Sequence, residues 1–183
     1  MLIDHDLSSL VIDTLGKQAV DENAAVACFY FYFATQEEQS LAEILGSVLK
    51  QVAGGLNKVP QIVKAFRDRR RVIGGQRLAL AKIVEFLQDI ISQRTFICID
   101  ALDECPASQR AKLLDSLNQI LQNSPGTRIF LTGRQHIRGE VEKHLAVRAA
   151  IRPITPTKDD IRAFWPPLGS ENSSSNFELW AIS

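Results

Sequence analysis

The sequence predicts a three-layer α/β sandwich with a mostly parallel sheet. Two continuous apolar runs, at 24–34 and 95–99, show no polar alternation, which is typical of strands covered on both faces. Segments with apolar residues at helical spacing separate these runs from each other and from later strand-like segments. Strands that alternate with helices favour a parallel sheet with helices packed on its faces.

The N-terminal half contributes the first strand and most of the predicted helices. The run at 24–34 is rich in β-branched and aromatic residues, which favour strands. Gly16 is a plausible end for the first helix, and Thr35 to Glu38 resembles a capping box ahead of the second. The predicted helices of this half cover 7–15, 40–52, 60–71 and 76–91.

The C-terminal half continues the alternation and then loses it. Its predicted elements are strands at 95–99, 128–132 and 147–151, helices at 106–122 and 139–144, and a capped helical turn after Thr157. Beyond Phe164 the chain is dominated by Pro, Gly, Ser and Asn. We therefore expect one domain over 1–165 and an irregular, disordered tail over 166–183.

Composition excludes several classes of protein. The 183 residues are 45% apolar and 23% charged, which excludes a disordered chain, and 21 basic against 21 acidic side chains give no net field for nucleic acid or an anionic membrane. No signal peptide and no membrane-spanning run is visible, so a cytoplasmic location is expected. Cys28, Cys98 and Cys105 are scattered, and we predict neither a disulfide framework nor a zinc site.

The most specific feature is an acidic cluster after the second apolar run. Four apolar residues followed by Asp100 form a Walker B arrangement, in which the carboxylate organises Mg²⁺, usually through water. Ligands of open α/β sheets bind beyond the carboxyl ends of strands, where this cluster is predicted to lie. Asp103 and Glu104 would then position and activate a water. The alternative is that one of them only caps the helix beginning at Pro106.

A second polar feature ends the next predicted strand. Thr132, Gly133 and Arg134 have the form of a sensor, in which a hydroxyl and a guanidinium contact the terminal phosphate of a nucleotide. Arginine suits this role because its planar fork binds phosphate oxygens bidentately. The alternative is an exposed arginine in a turn.

These features together resemble a known family. The chain is similar to the NACHT-type NTPase domain of the signal-transduction (STAND) ATPases, in the nephrocystin-3-like N-terminal form that is abundant in fungal repeat proteins. The similarity extends over about 7–164 and implies a P-loop NTPase fold. The segments that carry it are 26–33, 39–45, 96–105 and 129–134.

The resemblance implies roles for individual residues. Asp100 would be the Mg²⁺-organising acid, Asp103 or Glu104 the hydrolytic acid, and Thr132 and Arg134 would contact the nucleotide. It implies Mg²⁺ with ATP or GTP as cofactors. It also implies, as partners, intact homologues or further copies of the chain, together with C-terminal repeat or effector domains.

The sequence departs from the family at the Walker A motif. The 183 residues contain no G-x-x-x-x-G-K-[ST], and Gly16-Lys17 is followed by Gln18 where a hydroxyl is needed. We therefore expect a fragment of a nucleotide-dependent signalling switch, truncated before or within the P-loop and deficient in nucleotide binding and hydrolysis. The alternative function is a non-catalytic interaction module or decoy that associates with intact homologues.

The same departure has a structural consequence. The resemblance implies a P-loop strand between the strand ending at Asp100 and the strand ending at Thr132. Each unpaired buried backbone group costs about 1–3 kcal/mol, against a total stability of roughly 5–15 kcal/mol. We therefore expect either direct pairing of these two strands or an unstable fragment.

Overall fold

The computed structural model describes residues 13–17, 24–31, 40–55, 79–91, 94–145, 149–154 and 177–182. A short helical segment occupies 13–17. The strands are β1 (Ala25–Tyr30), β2 (Thr95–Asp100), β3 (Thr127–Arg134), β4 (Ala149–Ile154) and β5 (Phe177–Ile182). The helices are α1 (Leu41–Gly55), α2 (Leu80–Ile90), α3 (Ala107–Asn123) and α4 (Arg138–Leu145).

The described strands form one sheet in the order β1-β2-β3-β5-β4. β1, β2 and β3 are mutually parallel, whereas β5 runs antiparallel to both of its neighbours, β3 and β4. The predicted α/β class with a mostly parallel sheet is confirmed.

β2 and β3 pair directly. Their parallel register joins Thr95 to Thr127 and continues to Ile99 and Leu131, so no strand lies between them. The sequence left two outcomes, direct pairing of these strands or an unstable fragment. The structure shows direct pairing, in which the strands satisfy each other's backbone hydrogen-bonding groups.

The C-terminal strand corrects the sequence prediction. Residues 177–182, expected to belong to an irregular tail, form β5, and its antiparallel ladders occupy the position between β3 and β4. β3 and β4 are parallel to each other and joined through α4, but they do not touch as strands. The last described strand thus supplies an interior strand of the sheet. The rest of the predicted tail, 166–176, lies outside the described residues.

The other predicted elements agree with the structure in type, with local differences. The capping box of α1 is formed by Ser40 and Glu43: the Glu43 carboxylate accepts from the Ser40 N–H at 2.9 Å, and the Ser40 hydroxyl accepts from the Glu43 N–H at 3.3 Å. Gly16 lies within the helical segment instead of ending it. The predictions at 7–12, 32–38, 60–71 and 157–160 fall outside the described residues.

Apolar side chains pack on both faces of the sheet. The larger cluster joins α1, α2, α3 and α4 to the inward residues of β1, β2 and β3, among them Ala27, Ile97 and Ile129. A smaller cluster on the opposite face contains Leu15 of the helical segment and Cys98. Within the described ranges, no helix combines the length and apolarity needed to cross a membrane.

Candidate functional site

The polar side chains singled out from the sequence meet at the carboxyl ends of β2 and β3. Asp100 is the last residue of β2 and is 3% exposed, and Thr132 lies near the end of the adjacent β3. The Thr132 hydroxyl donates a hydrogen bond to Oδ1 of Asp100. The same hydroxyl oxygen accepts from the Ala101 N–H at 3.0 Å. A single hydroxyl thus joins the two strand ends.

Ala101 turns the chain sharply after β2. Its φ of 53° and ψ of 47° lie in the left-handed region, and among the described non-glycine residues it alone has a positive φ. Such a conformation costs roughly 1–2 kcal/mol for a residue with a Cβ. Strained positions of this kind persist where the surroundings hold them and cluster at functional sites. The turn sends the following acidic residues back across the end of β3.

Asp103 and Glu104 lie against Arg134. They belong to a single 3₁₀ turn, and Oδ1 of Asp103 accepts from the Arg134 N–H at 3.2 Å. The Arg134 guanidinium lies 3.4 Å from Asp103 through Nε and 3.7 Å from Glu104 through Nη2. Asp103 is almost fully buried, whereas the arginine side chain is 51% exposed. All five residues predicted for the site are therefore brought together.

The structure bears on the alternatives left open by the sequence. The N-cap residue of α3 is Pro106, which makes no side-chain capping hydrogen bond. The Asp103 carboxylate accepts instead from the Arg134 N–H. Arg134 is half exposed, as a turn arginine would be, but it contacts both carboxylates.

Arg110 is a residue of the site that sequence reasoning missed. It lies on α3 and is 8% exposed, and its Nη1 donates to the carbonyls of Asp103 at 3.2 Å and Cys105 at 3.0 Å. Its Nε donates to the Glu140 carboxylate of α4 at 2.7 Å. The guanidinium therefore holds the acidic turn by its backbone. The only sequence signal was an arginine in the first turn of a helix directly after the acidic cluster.

Tyr30 was likewise missed, because its aromatic run indicated only a buried strand. It is the last residue of β1, the register partner of Asp100, and 39% exposed. Burial, followed by the nearby Cys28, Asp100 and Cys98, raises the pKa of the Tyr30 hydroxyl. The neutral Tyr30 side chain therefore lies on the strand next to Asp100 at the end of β2.

The donor set fits one kind of metal site and not another. Within the ranges that the structure describes, no three His, Cys, Asp or Glu residues are placed to enclose an ion. Asp100, the carboxylate at the end of β2, would suit Mg²⁺ bound through a single carboxylate, waters and phosphate oxygens. When bound, such an ion would neutralise charge on the phosphates.

A comparison with known protein families gives a match over the first part of the chain. The family model described as "Nephrocystin 3, N-terminal" matches residues 6–134, which is more than half of the chain and ends at Arg134. The chain belongs to the nephrocystin 3 N-terminal family. The matched region of this family member contains β1, β2 and β3 and every residue predicted for the site. Comparisons with curated proteins and with solved structures find no match.

Proposed function

We propose that this nephrocystin 3 N-terminal domain is part of a NACHT-type, nucleotide-dependent signalling switch of the cytoplasm. In this proposal Asp100 organises Mg²⁺, and Thr132 and Arg134 contact the terminal phosphate of ATP or GTP. The observation that supports it is the Thr132 hydrogen bond to Asp100, which couples the two strand ends where ligands of parallel sheets bind.

The contacts of Arg134 suggest how the switch would respond. In the structure the guanidinium faces Asp103 and Glu104 at 3.4 and 3.7 Å. These distances are long for charge-assisted hydrogen bonds, which are about 2.7–2.9 Å. A phosphate oxygen would compete for the half-exposed arginine and release the two carboxylates. Asp103 or Glu104 would then be available to orient a water.

The proposed nucleotide site lacks the phosphate-binding motif of P-loop proteins. The 183 residues contain no G-x-x-x-x-G-K-[ST], so they supply neither the backbone N–H cradle nor the lysine that hold the β- and γ-phosphates. We therefore expect these residues alone to bind Mg²⁺–nucleotide only weakly and to hydrolyse it no faster than buffer does.

A titration of the 183-residue chain with a fluorescent ATP analogue tests this function. We expect Mg²⁺-dependent binding that does not saturate in the micromolar range, and that EDTA and Asp100→Ala each abolish. Asp89→Ala, which removes an exposed carboxylate from α2, is the charge-matched control and should bind as the wild type does. Saturation at micromolar concentration, or equal binding by Asp100→Ala, contradicts the proposal.

The second candidate is a non-catalytic module that associates with intact homologues. It is favoured by β4, which is the outer strand on its side of the described sheet and offers a backbone edge for strand addition. This function predicts co-elution with an intact homologue in size-exclusion chromatography without nucleotide. The switch function predicts that the two proteins elute separately unless nucleotide is present.

A further inference from the structure

Two of the three cysteines are direct neighbours in the sheet. Cys28 of β1 and Cys98 of β2 are register partners in the parallel ladder. Adjacent strands lie about 4.8 Å apart, within the Cα separation of roughly 4.4–6.8 Å found in disulfides. Both side chains belong to the small apolar cluster that includes Phe96, so they point to the same face.

The two thiols are neighbours on one face of the ladder formed by β1 and β2. The Cys28 backbone is also held in place: its N–H donates to Gln51 Oε1 at 2.9 Å, and its carbonyl accepts from Gln51 Nε2 at 2.8 Å. The Gln51 side chain thus binds both backbone polar groups of Cys28.

The three cysteines differ in solvent exposure. β1 is the edge strand of the described sheet, and Cys28 is partly exposed, whereas Cys98 is 7% exposed. An oxidant arriving from solvent therefore meets Cys28 first. Cys105 is 2% exposed, and burial is the main cause that raises the pKa of its thiol to about 11. It serves as an internal reference for an unreactive thiol.

We infer that Cys28 and Cys98 are a redox pair that hydrogen peroxide converts into a disulfide joining β1 to β2. The Cys28 sulfur attacks a peroxide oxygen and the O–O bond breaks, which leaves Cys28 as a sulfenic acid and releases water. The Cys98 sulfur then attacks the Cys28 sulfur, the S–O bond breaks, and a second water leaves. Two thiols and one hydrogen peroxide give one disulfide and two waters.

The inference goes beyond the proposed nucleotide function and does not depend on it. The cross-link would join the two strands two residues before Tyr30 and Asp100 in each chain segment. Oxidation would therefore fix the spacing of β1 and β2 beneath the candidate site, whether or not that site binds nucleotide.

The test is peroxide treatment of the folded chain, followed by free-thiol blocking and non-reducing peptide mapping. Cys98 and Cys105 share the tryptic peptide 95–110, whereas Cys28 lies in 18–50, so trypsin alone cannot assign the bond. A second digestion at Asp separates Cys98 from Cys105. The Cys105→Ala variant, which retains the pair, gives an independent assignment.

We expect a monomer lighter by two hydrogen atoms, with one free thiol left at Cys105 and peptides 18–50 and 95–110 linked through Cys98. Cys105→Ala should lose both thiols at the wild-type rate. Cys28→Ser should form no disulfide. Four results would each overturn the inference. The first two are three surviving thiols in the folded chain and a bond to Cys105. The others are a disulfide between two chains and Cys28 over-oxidised to a sulfinic acid beside a free Cys98.

Discussion

The Thr132 hydroxyl bridges two strand ends, since it donates to the Asp100 carboxylate and accepts from the Ala101 N–H at 3.0 Å. Thr132→Val keeps the shape of the side chain but removes both hydrogen bonds. Because this leaves a buried carboxylate and an N–H without this partner, we expect a loss of about 2 kcal/mol in the free energy of unfolding. Thr132→Ser should lose less than about 1 kcal/mol. Urea denaturation of both variants measures the difference, and equal stabilities would contradict the bridging role.

Arg110 gives a second prediction, because one guanidinium contacts the carbonyls of Asp103 and Cys105 and the carboxylate of Glu140. Arg110→Ala leaves the two carbonyls and the carboxylate without this partner in a mostly buried setting. We therefore expect the free energy of unfolding to fall by about 3 kcal/mol. The control is Arg138→Ala, which removes a pair with Glu142 on the same helix whose side chains are over 40% exposed. That change should cost about 0.5 kcal/mol or less. Comparable losses in thermal or urea unfolding would show that Arg110 acts only as a surface residue.

The acidic turn and the sensor residues are predictable from the sequence because their signals are local. An apolar strand that ends in Asp100 places a carboxylate at a strand end, and the same rule places Thr132 beside it once the strands are parallel. The role of Arg110 is different, since it depends on how α3 packs against α4. An arginine on a helix gives no sign of which carbonyls it will reach.

β5 is not predictable for a related reason. It is a six-residue segment, preceded by a stretch rich in Pro, Ser and Asn, and its partners in β3 are more than forty residues away in sequence. Local periodicity contains no information on such pairing. The direct pairing of β2 with β3 was one of two expected outcomes, and hydrogen-bond satisfaction favours it.

The interior position of β5, between β3 and β4, leads to a third prediction. Ile182 is 1% exposed and belongs to the main apolar cluster. Ile182→Ala should destabilise the domain by about 2–4 kcal/mol and Ile182→Val by about 1 kcal/mol, because each removes buried methyl groups. Removal of residues 177–182 should abolish the cooperative thermal transition, since β3 and β4 would lose the strand between them. A melting temperature unchanged by that deletion would show that the sheet does not depend on β5.

Cys105 predicts a pH dependence of stability. Its pKa is about 11 in the folded chain against an ordinary value of 9.0, chiefly because burial disfavours the thiolate. The unfolded chain therefore loses the proton first, and the stabilisation present below pH 9 declines as the pH rises through about 11. The expected decline is about 2–3 kcal/mol. Urea unfolding with a reductant at pH 8 to 11 should show a smaller decline for Cys105→Ala, and identical slopes would contradict the assignment.

The central claim is that Asp100 organises a divalent ion and nucleotide at the ends of β2 and β3. Titration of the ¹⁵N-labelled chain with Mn²⁺ and ATP tests it directly, because the paramagnetic ion broadens nearby amide signals. At millimolar Mn²⁺–ATP we expect stronger broadening of Ala101 and Arg134 than of Thr127 at the opposite end of β3. Asp100→Asn should abolish this broadening, and Asp89→Ala should preserve it. No broadening at these amides, or equal broadening in Asp100→Asn, would contradict the account.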